Sequence, residues 1–329
     1  MVAPEAREPH WTESAQEVVA GLIMYVRVAH NTPAGVFAAD TDWGTVRAPT
    51  LGEVRRLVTL PPPRFAKLVI AVTTLPEEHG EIVNKLSPYL QSGDNKELAS
   101  IISTARTQTR FLDSPSIAGD LTQGHLDFAA MKQRPMTIYL VLPPARLVTH
   151  AKWLRLVVGS AIQSLQKTPR NPARPDVLFM LDEFPQLGRM ECVETSMALN
   201  AGFGIKIFAV VQHLNQLVHQ YEENWETFLS GGVIATFGPR DAFTSEYLSR
   251  LSGQEFVDVM GKSFTDQGRF TQTVNQQLLA SLLPHDFRRM PQGMLIIFLP
   301  TREEGQVMRR SYAKDFADWP EINRYIKAL

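Results

Sequence analysis

Residues 177–181 read Val-Leu-Phe-Met-Leu and run without a break into Asp182 and Glu183. A short, continuous apolar run ending in two acids suits a strand buried in a sheet covered on both faces, where parallel strands are found in α/β folds. Such a strand delivers its carboxyl end to the crevice where ligands bind, so acids placed there face a ligand. This is the Walker B arrangement. In nucleotide hydrolases the aspartate holds magnesium through water, and a neighbouring carboxylate orients and polarises the attacking water. Two acids at a solvated strand end also arise in a plain strand-to-loop transition.

The same texture recurs around this strand. Met136 to Leu142, Ile205 to Val211, Val233 to Phe237 and Met294 to Leu299 are further apolar runs, separated by amphipathic stretches. Between the first run and Val177, the residues Trp153, Leu154, Val157, Val158, Ala161, Ile162 and Leu165 form one helical stripe, which completes a βαβ unit. The polar stretch Gly253 to Gln276 reads as an excursion from the sheet, with a hairpin as one form. The expectation for residues 134–329 is therefore a mostly parallel sheet flanked by helices; the resemblance given below implies that the sheet is RecA-like and incomplete.

Residues 10–133 read differently. Val18, Val19, Leu22, Ile23 and Val26 recur at helical spacing, Thr12 and Ser14 offer helix starts, and Pro49 and Pro61 to Pro63 cut the segment into short helices. Further helices are expected at 81–91 and 95–112, and Leu68 to Val72 is ambiguous between strand and helix. This half is expected to be an all-α domain.

Composition limits the partners. Lys plus Arg (33) nearly balances Asp plus Glu (34), so any DNA contact is local or made by an assembly. The single cysteine, Cys192, has no intrachain partner, fits a reducing compartment and reads as a small hydrophobe on a helix. No run is apolar and long enough to span a bilayer, and MVAPEAREPH lacks the pattern of a secretory signal, so a cytoplasmic chain is expected. The eight histidines show no metal-ligand spacing, and no G-x-S-x-G elbow is present.

Gln212 ends the run after the acids. An amide there can touch a terminal phosphate; alternatively it starts the helical segment of Leu214, Leu217 and Val218. The phosphate loop G-x-x-x-x-G-K-[ST] is absent from the 329 residues. Gly261-Lys262-Ser263 has no glycine five positions earlier and reads as a loop. Arg240, after the Phe237-Gly238-Pro239 turn, and Arg250 are candidates for an arginine finger, with a solvated arginine as the alternative for each. The doublets Arg55/Arg56, Arg288/Arg289 and Arg309/Arg310 could meet phosphates or simply be surface.

The segment VLFMLDEFPQLGRMECVETSMALNAGFGIKIFAVVQHLNQL, followed by YEENWETFLSGGVIATFGPRDAFTSEYLSRLSG, resembles the TraG/TraD-type coupling proteins of conjugation systems. The resemblance rests on Asp182-Glu183-Phe184-Pro185 with Leu187-Gly188-Arg189 behind it, on Ala201-Gly202-Phe203-Gly204, and on Val210-Val211-Gln212. It continues through Asn224-Trp225-Glu226, Phe237-Gly238-Pro239 and Leu283-Pro284, and HWTESAQEVVAGLIMYV resembles the start of the family's helical domain. It implies a RecA-like motor with an inserted helical domain. Such motors are hexamers at the inner face of the inner membrane that bring relaxase-bound DNA to the type IV secretion channel.

The resemblance also implies roles: Asp182 for magnesium, Glu183 for the attacking water, Gln212 for the terminal phosphate, with ATP and Mg2+ as cofactors. This sequence departs from the family pattern in lacking the phosphate loop, in carrying Ala201 where some relatives have a trans-acting arginine, and in carrying Arg240 where asparagine is common. Weak MgATP binding by the chain alone is therefore expected. One hypothesis is an energy-coupling part whose phosphate loop comes from a complementing polypeptide. Another is a non-enzymatic module docking relaxosome or channel components; a helicase-like motor half is a third. An incomplete sheet leaves an uncovered edge and face, so self-association is also expected.

Overall fold

The computed structural model describes residues 9–31, 43–44, 46, 48–73, 75–90, 95–123, 126–264, 270–300 and 306–309. Most of the MVAPEAREPH segment and Arg310 lie outside them. The chain divides into two compact units, Met1–Asp127 and Phe128–Leu329.

The first unit is helical: α1 (Pro9–Asn31), α2 (Leu51–Val58), α3 (Pro62–Thr73), α4 (Gly80–Leu86), α5 (Asn95–Gln108) and α6 (Pro115–Gln123). Of the stripe expected on α1, Val18, Leu22 and Val26 lie in the core together with Tyr25, Val19 is half-buried, and Ile23 is exposed. The helix starts at Pro9, so Thr12 and Ser14 lie inside its first turns instead of capping it. Proline suits a first turn because the missing N–H would have no intrahelical partner there. The ambiguous run Leu68 to Val72 belongs to α3, where Leu68, Val69 and Val72 are buried. The Thr50 side chain caps α2 by accepting the Glu53 N–H.

The Arg55/Arg56 doublet is internal architecture. The Arg55 guanidinium makes a two-pronged pair with Asp113, at 2.8 and 2.7 Å, and also donates to the Arg106 carbonyl and the Thr109 hydroxyl. Arg106 in turn donates to the carbonyls of Val58 and Leu60, which terminate α2. Arg56 is taken up by Glu53 and the Trp43 carbonyl.

The second unit mixes helices and strands in the order α7 (Leu147–Lys167), β1 (Val177–Leu181), α8 (Glu191–Leu199), β2 (Ile205–Ala209), α9 (Asn215–Tyr221) and β3 (Ile234–Thr236). Then come α10 (Ala242–Leu251), β4 (Gln254–Phe264), β5 (Phe270–Ala280), α11 (Pro284–Arg288), β6 (Met294–Phe298) and β7 (Gln306–Arg309). The expected stripe lies on α7, which buries Val158, Ala161, Ile162 and Leu165. Val158 and Ile162 share a core with Leu181, Phe184, Leu187, Leu214 and Tyr221.

The α/β architecture matches the expectation; the arrangement of its strands is more divided. β1 and β2 are parallel, with Leu181 opposite Ala209, whereas β3, β6 and β7 form a separate antiparallel sheet. An apolar run reports burial and carries no information about strand direction, which is why the five runs suggest a mostly parallel sheet. Met136 to Leu142 joins no sheet. It is extended and alternates, Tyr139 being 83% and Val141 79% exposed while Leu140 packs on the core, so the apolar run covers only one side of itself. The excursion after Gly253 is a hairpin of two eleven-residue strands, β4 with β5, and Gly261-Lys262-Ser263 lies within β4 instead of in a loop, away from any strand–loop–helix context.

Candidate functional site

The candidate residues sit where β1 and β2 end. The ladder continues past the strands, with the Val210 N–H donating to the Leu181 carbonyl and the Phe184 N–H donating to the Val210 carbonyl, both at 3.0 Å. This brings the turn after β1 against the end of β2. Asp182 is exposed, and its Oδ1 accepts the Glu183 N–H at 3.1 Å. Glu183 is in the left-handed region, φ 50° and ψ 41°, a conformation that costs a non-glycine residue roughly 1–2 kcal/mol.

Gln212 reaches across from β2, its Nε2 lying 3.1 Å from each carboxylate oxygen of Glu183. Asp182, Glu183 and Gln212 are thus brought to one place, with Gln212 bonded to Glu183. Arg240 is exposed, and no hydrogen bond or ion pair joins it to another described residue. It stands one residue before Asp241, which caps α10 through the Thr244 N–H; the Thr244 hydroxyl accepts the Leu214 N–H at 3.0 Å. That chain of bonds ties the start of α10 to the segment following Gln212. Arg250 lies over the Tyr247 ring, 5.6 Å from its centroid, on the face of α10.

The turn carrying the acids is held by its own sequence. Phe184 is fully buried (0% exposed), stacks with Tyr221 at 6.0 Å and meets Phe228 at 5.5 Å. Gly188 closes the turn at φ 73°. The Gln220 side chain donates to the Pro185 carbonyl, and the Tyr221 hydroxyl accepts the Met190 N–H at 3.1 Å. Burial pushes the Tyr221 hydroxyl pKa up, which keeps it a neutral hydrogen-bonding group.

Sequence reasoning missed the positioning residues. Gln216, whose Oε1 accepts the Gln212 N–H at 2.9 Å, stands four residues on and was legible as an i,i+4 partner. Gln220 and Thr244 act across 35 and 30 residues, respectively, and carry no local signal. Cys192, half-buried on α8, has its thiol pushed up by burial, as a small packing residue would.

The donor set suits a magnesium nucleotide on one side only. Asp182 offers an exposed hard-oxygen carboxylate, and no group of three His, Cys, Asp or Glu able to hold a metal exists among the described residues. Mg2+ is held by one or two carboxylates with water and substrate phosphates, and an exposed carboxylate such as that of Asp182 suits it. A glycine loop of amides for those phosphates is missing from the sequence. No helix among the described residues is long and apolar enough to cross a membrane.

A family model described as Type IV secretory system Conjugative DNA transfer matches residues 1–323. Conjugal transfer protein TraG of Escherichia coli is 25% identical over 316 residues, covering 88% of this chain and 47% of TraG. Protein VirD4 of Rhizobium radiobacter is 25% identical over 274 residues, covering 81% of this chain and 39% of VirD4. The chain spans about half or less of the length of these curated relatives. The bacterial conjugative coupling protein TrwBdeltaN70 in its unbound form superposes with a TM-score of 0.63 at 16% identity, covering 95% of this chain and 70% of that one. The plasmid coupling protein TrwB in complex with ADP and Mg2+ gives a TM-score of 0.57 at 15% identity, with coverage of 95% and 70%. At such identity the structural likeness establishes the fold alone.

Proposed function

Because the chain belongs to the family of type IV secretion coupling proteins that act in conjugative DNA transfer, we propose that it is the acid-bearing part of a coupling ATPase. In this reading it brings relaxase-bound DNA or effector substrates to a secretion channel. Its place of work is the cytoplasmic face of the inner membrane, within a hexameric assembly. The observation that carries the reading is the convergence of Asp182, Glu183 and Gln212 at the ends of adjacent parallel strands, with the Gln212 amide on the Glu183 carboxylate.

Each residue then has a distinct task. Asp182 would hold the magnesium of the nucleotide, which would neutralise charge on the phosphates. Glu183 orients and polarises the attacking water. Gln212, bonded to Glu183 in the structure, would touch the terminal phosphate and so report the state of the nucleotide. The phosphate-binding loop is supplied from outside these 329 residues. The exposed Arg240 is free to act across a subunit boundary.

The test is Glu183→Gln in a cell dependent on this chain for transfer, with folding and relaxosome binding followed in parallel. Loss of transfer with folding and binding intact supports an energy-coupling role. Transfer at the normal level would show that the chain acts as a docking module and that the acids are vestigial.

A further inference from the structure

The amino-terminal ends of β1 and β2 carry charge of the opposite sign to the acids. β1 begins at Val177 and β2 at Ile205, and because the two run parallel these starts lie together, roughly 20 Å from Asp182 at about 3.3 Å per residue. Lys132, Arg170, Asn171 and Arg174 line one depression there with Asp176 and Gly204. Arg170 holds Asp176 by both carboxylate oxygens, at 3.0 and 3.1 Å, and the Lys206 ammonium lies 3.5 Å from the same carboxylate. Gly204 permits this approach: it stands at φ 67°, and a Cβ on it would lie 2.9 Å from both the Arg170 side chain and the Asp176 carboxylate. Lys132 is buried and donates to the Leu165 and Thr168 carbonyls at 2.5 Å each, so the negative end of α7 is already capped. Arg134, Lys167 and Arg174 remain, exposed and, among the described residues, without an ion pair or side-chain hydrogen bond.

We propose that Arg134, Lys167, Arg170, Arg174 and Lys206 form a contact surface for the phosphate backbone of a nucleic acid, at the end of the parallel pair remote from Asp182. The chain as a whole has a formal net charge of -1, so this excess of cations is local. Asp176 is the one carboxylate lining the depression, and Arg170 and Lys206 already more than balance it. The cations come from the segment after Phe128–Lys132, the last turn of α7, the connection to β1, and β2 itself. Charge spread over four elements suits a row of phosphates better than a single anion. The connection reads Thr-Pro-Arg-Asn-Pro-Ala-Arg-Pro-Asp over residues 168–176, and its three prolines limit the freedom that its arginines lose on binding. It has no large apolar side chain to enter a bilayer, unlike a membrane-surface segment. It has no aromatic ring on which bases stack either, so the contact is with the backbone and without sequence preference. None of the residues assigned to nucleotide chemistry takes part.

The experiment titrates labelled single- and double-stranded oligonucleotides of mixed sequence into the 329-residue chain, without nucleotide and over a range of salt, beside vesicles of phosphatidylcholine with phosphatidylserine. Arg134→Ala/Lys167→Ala/Arg174→Ala removes only the cations that hold nothing within the chain, and Arg27→Ala/Arg64→Ala/Arg110→Ala removes the same charge from the helical unit. The expected result is saturable oligonucleotide binding that the first variant weakens roughly a hundredfold at about 0.1 M salt, with the slope of log K against log salt smaller by about 2–3. The second variant is expected to stay within about threefold of wild type. If the first variant melts below wild type, Arg174→Ala alone is read instead, with a slope smaller by about 1. No binding by the wild-type chain, an unchanged slope in the variant, or an equal loss in both triple variants would each overturn the proposal. So would binding of the vesicles through these cations without binding of the oligonucleotides, which would make the surface a membrane contact. Because nucleotide is left out, failure here does not touch the reading of Asp182, Glu183 and Gln212, and failure of that reading leaves this surface standing.

Discussion

The Gln212 side-chain amide holds Glu183 by both carboxylate oxygens, at 3.1 Å each, across the ends of two parallel strands. The bond joins the residue that would polarise water to the residue that would read the phosphate, so each is poised to respond to the other. Removing the amide tests this. Gln212→Ala is expected to change stability by less than about 1 kcal/mol, because the bond is exposed, and to lower MgATP turnover of the assembled complex roughly a hundredfold. Urea unfolding and steady-state turnover measure the two effects; unchanged turnover would remove Gln212 from the site.

The left-handed backbone at Glu183 gives a prediction in which stability and activity move in opposite directions. Glu183→Gly relieves the strain of φ 50°, so it is expected to stabilise the chain by up to about 1 kcal/mol after the added entropy of the unfolded glycine is offset. The same change removes the carboxylate and is expected to abolish turnover. Denaturant melts of variant and wild type decide it, and a destabilised glycine variant would show that the Gln212 bond outweighs the strain.

Phe184 anchors the turn from below. Its ring is fully buried against Tyr221 and Phe228, and Phe184→Ala is expected to cost about 3–5 kcal/mol through lost burial and the cavity left behind. Calorimetric melting checks this. A loss below about 1 kcal/mol would mean that the aromatic cluster does not hold the acids in place.

In the helical unit, the Arg55 guanidinium holds the Asp113 carboxyl below its ordinary pKa of 3.8. A carboxyl whose folded pKa is depressed contributes stability above its unfolded pKa and loses that contribution as pH falls through the folded value. The Arg55–Asp113 contribution is therefore complete at neutral pH and fades below about pH 4. Asp113 is largely exposed, so the pair itself is worth little. Arg55→Ala is expected to cost more, about 1–3 kcal/mol, because it also strips bonds from the Arg106 carbonyl and the Thr109 hydroxyl. Melts of Asp113→Asn and Arg55→Ala between pH 3 and pH 7 separate these contributions.

What the sequence carried was burial and periodicity. Val177–Leu181 is a strand as its apolar run suggests, although only Val177 and Leu181 are fully buried while Leu178 and Met180 are exposed, and the stripe from Trp153 to Leu165 is a helix because its period admits little else. Asp182, Glu183 and Gln212 were legible as strand-end residues. The left-handed turn at Glu183 was not, since nothing in Asp-Glu-Phe-Pro marks it; Phe184 and Pro185, which follow it, are both buried. The antiparallel pairing of β3 with β6 was also hidden, because direction depends on the connections and not on the run. Met136 to Leu142 looked like a strand because one-sided cover by Leu140 and its alternates leaves the same apolar text as cover on both sides.

The most direct test is calorimetric titration of MgATP into the 329-residue chain, alone and in complex with a polypeptide carrying the phosphate loop, with Asp182→Ala as control. No saturable binding to the chain alone, with binding to the complex that the Asp182 variant loses, is the result expected of an acid half waiting for its phosphate half. Saturable binding to the isolated chain that disappears in Asp182→Ala would contradict the account, because the chain would then possess a complete nucleotide site.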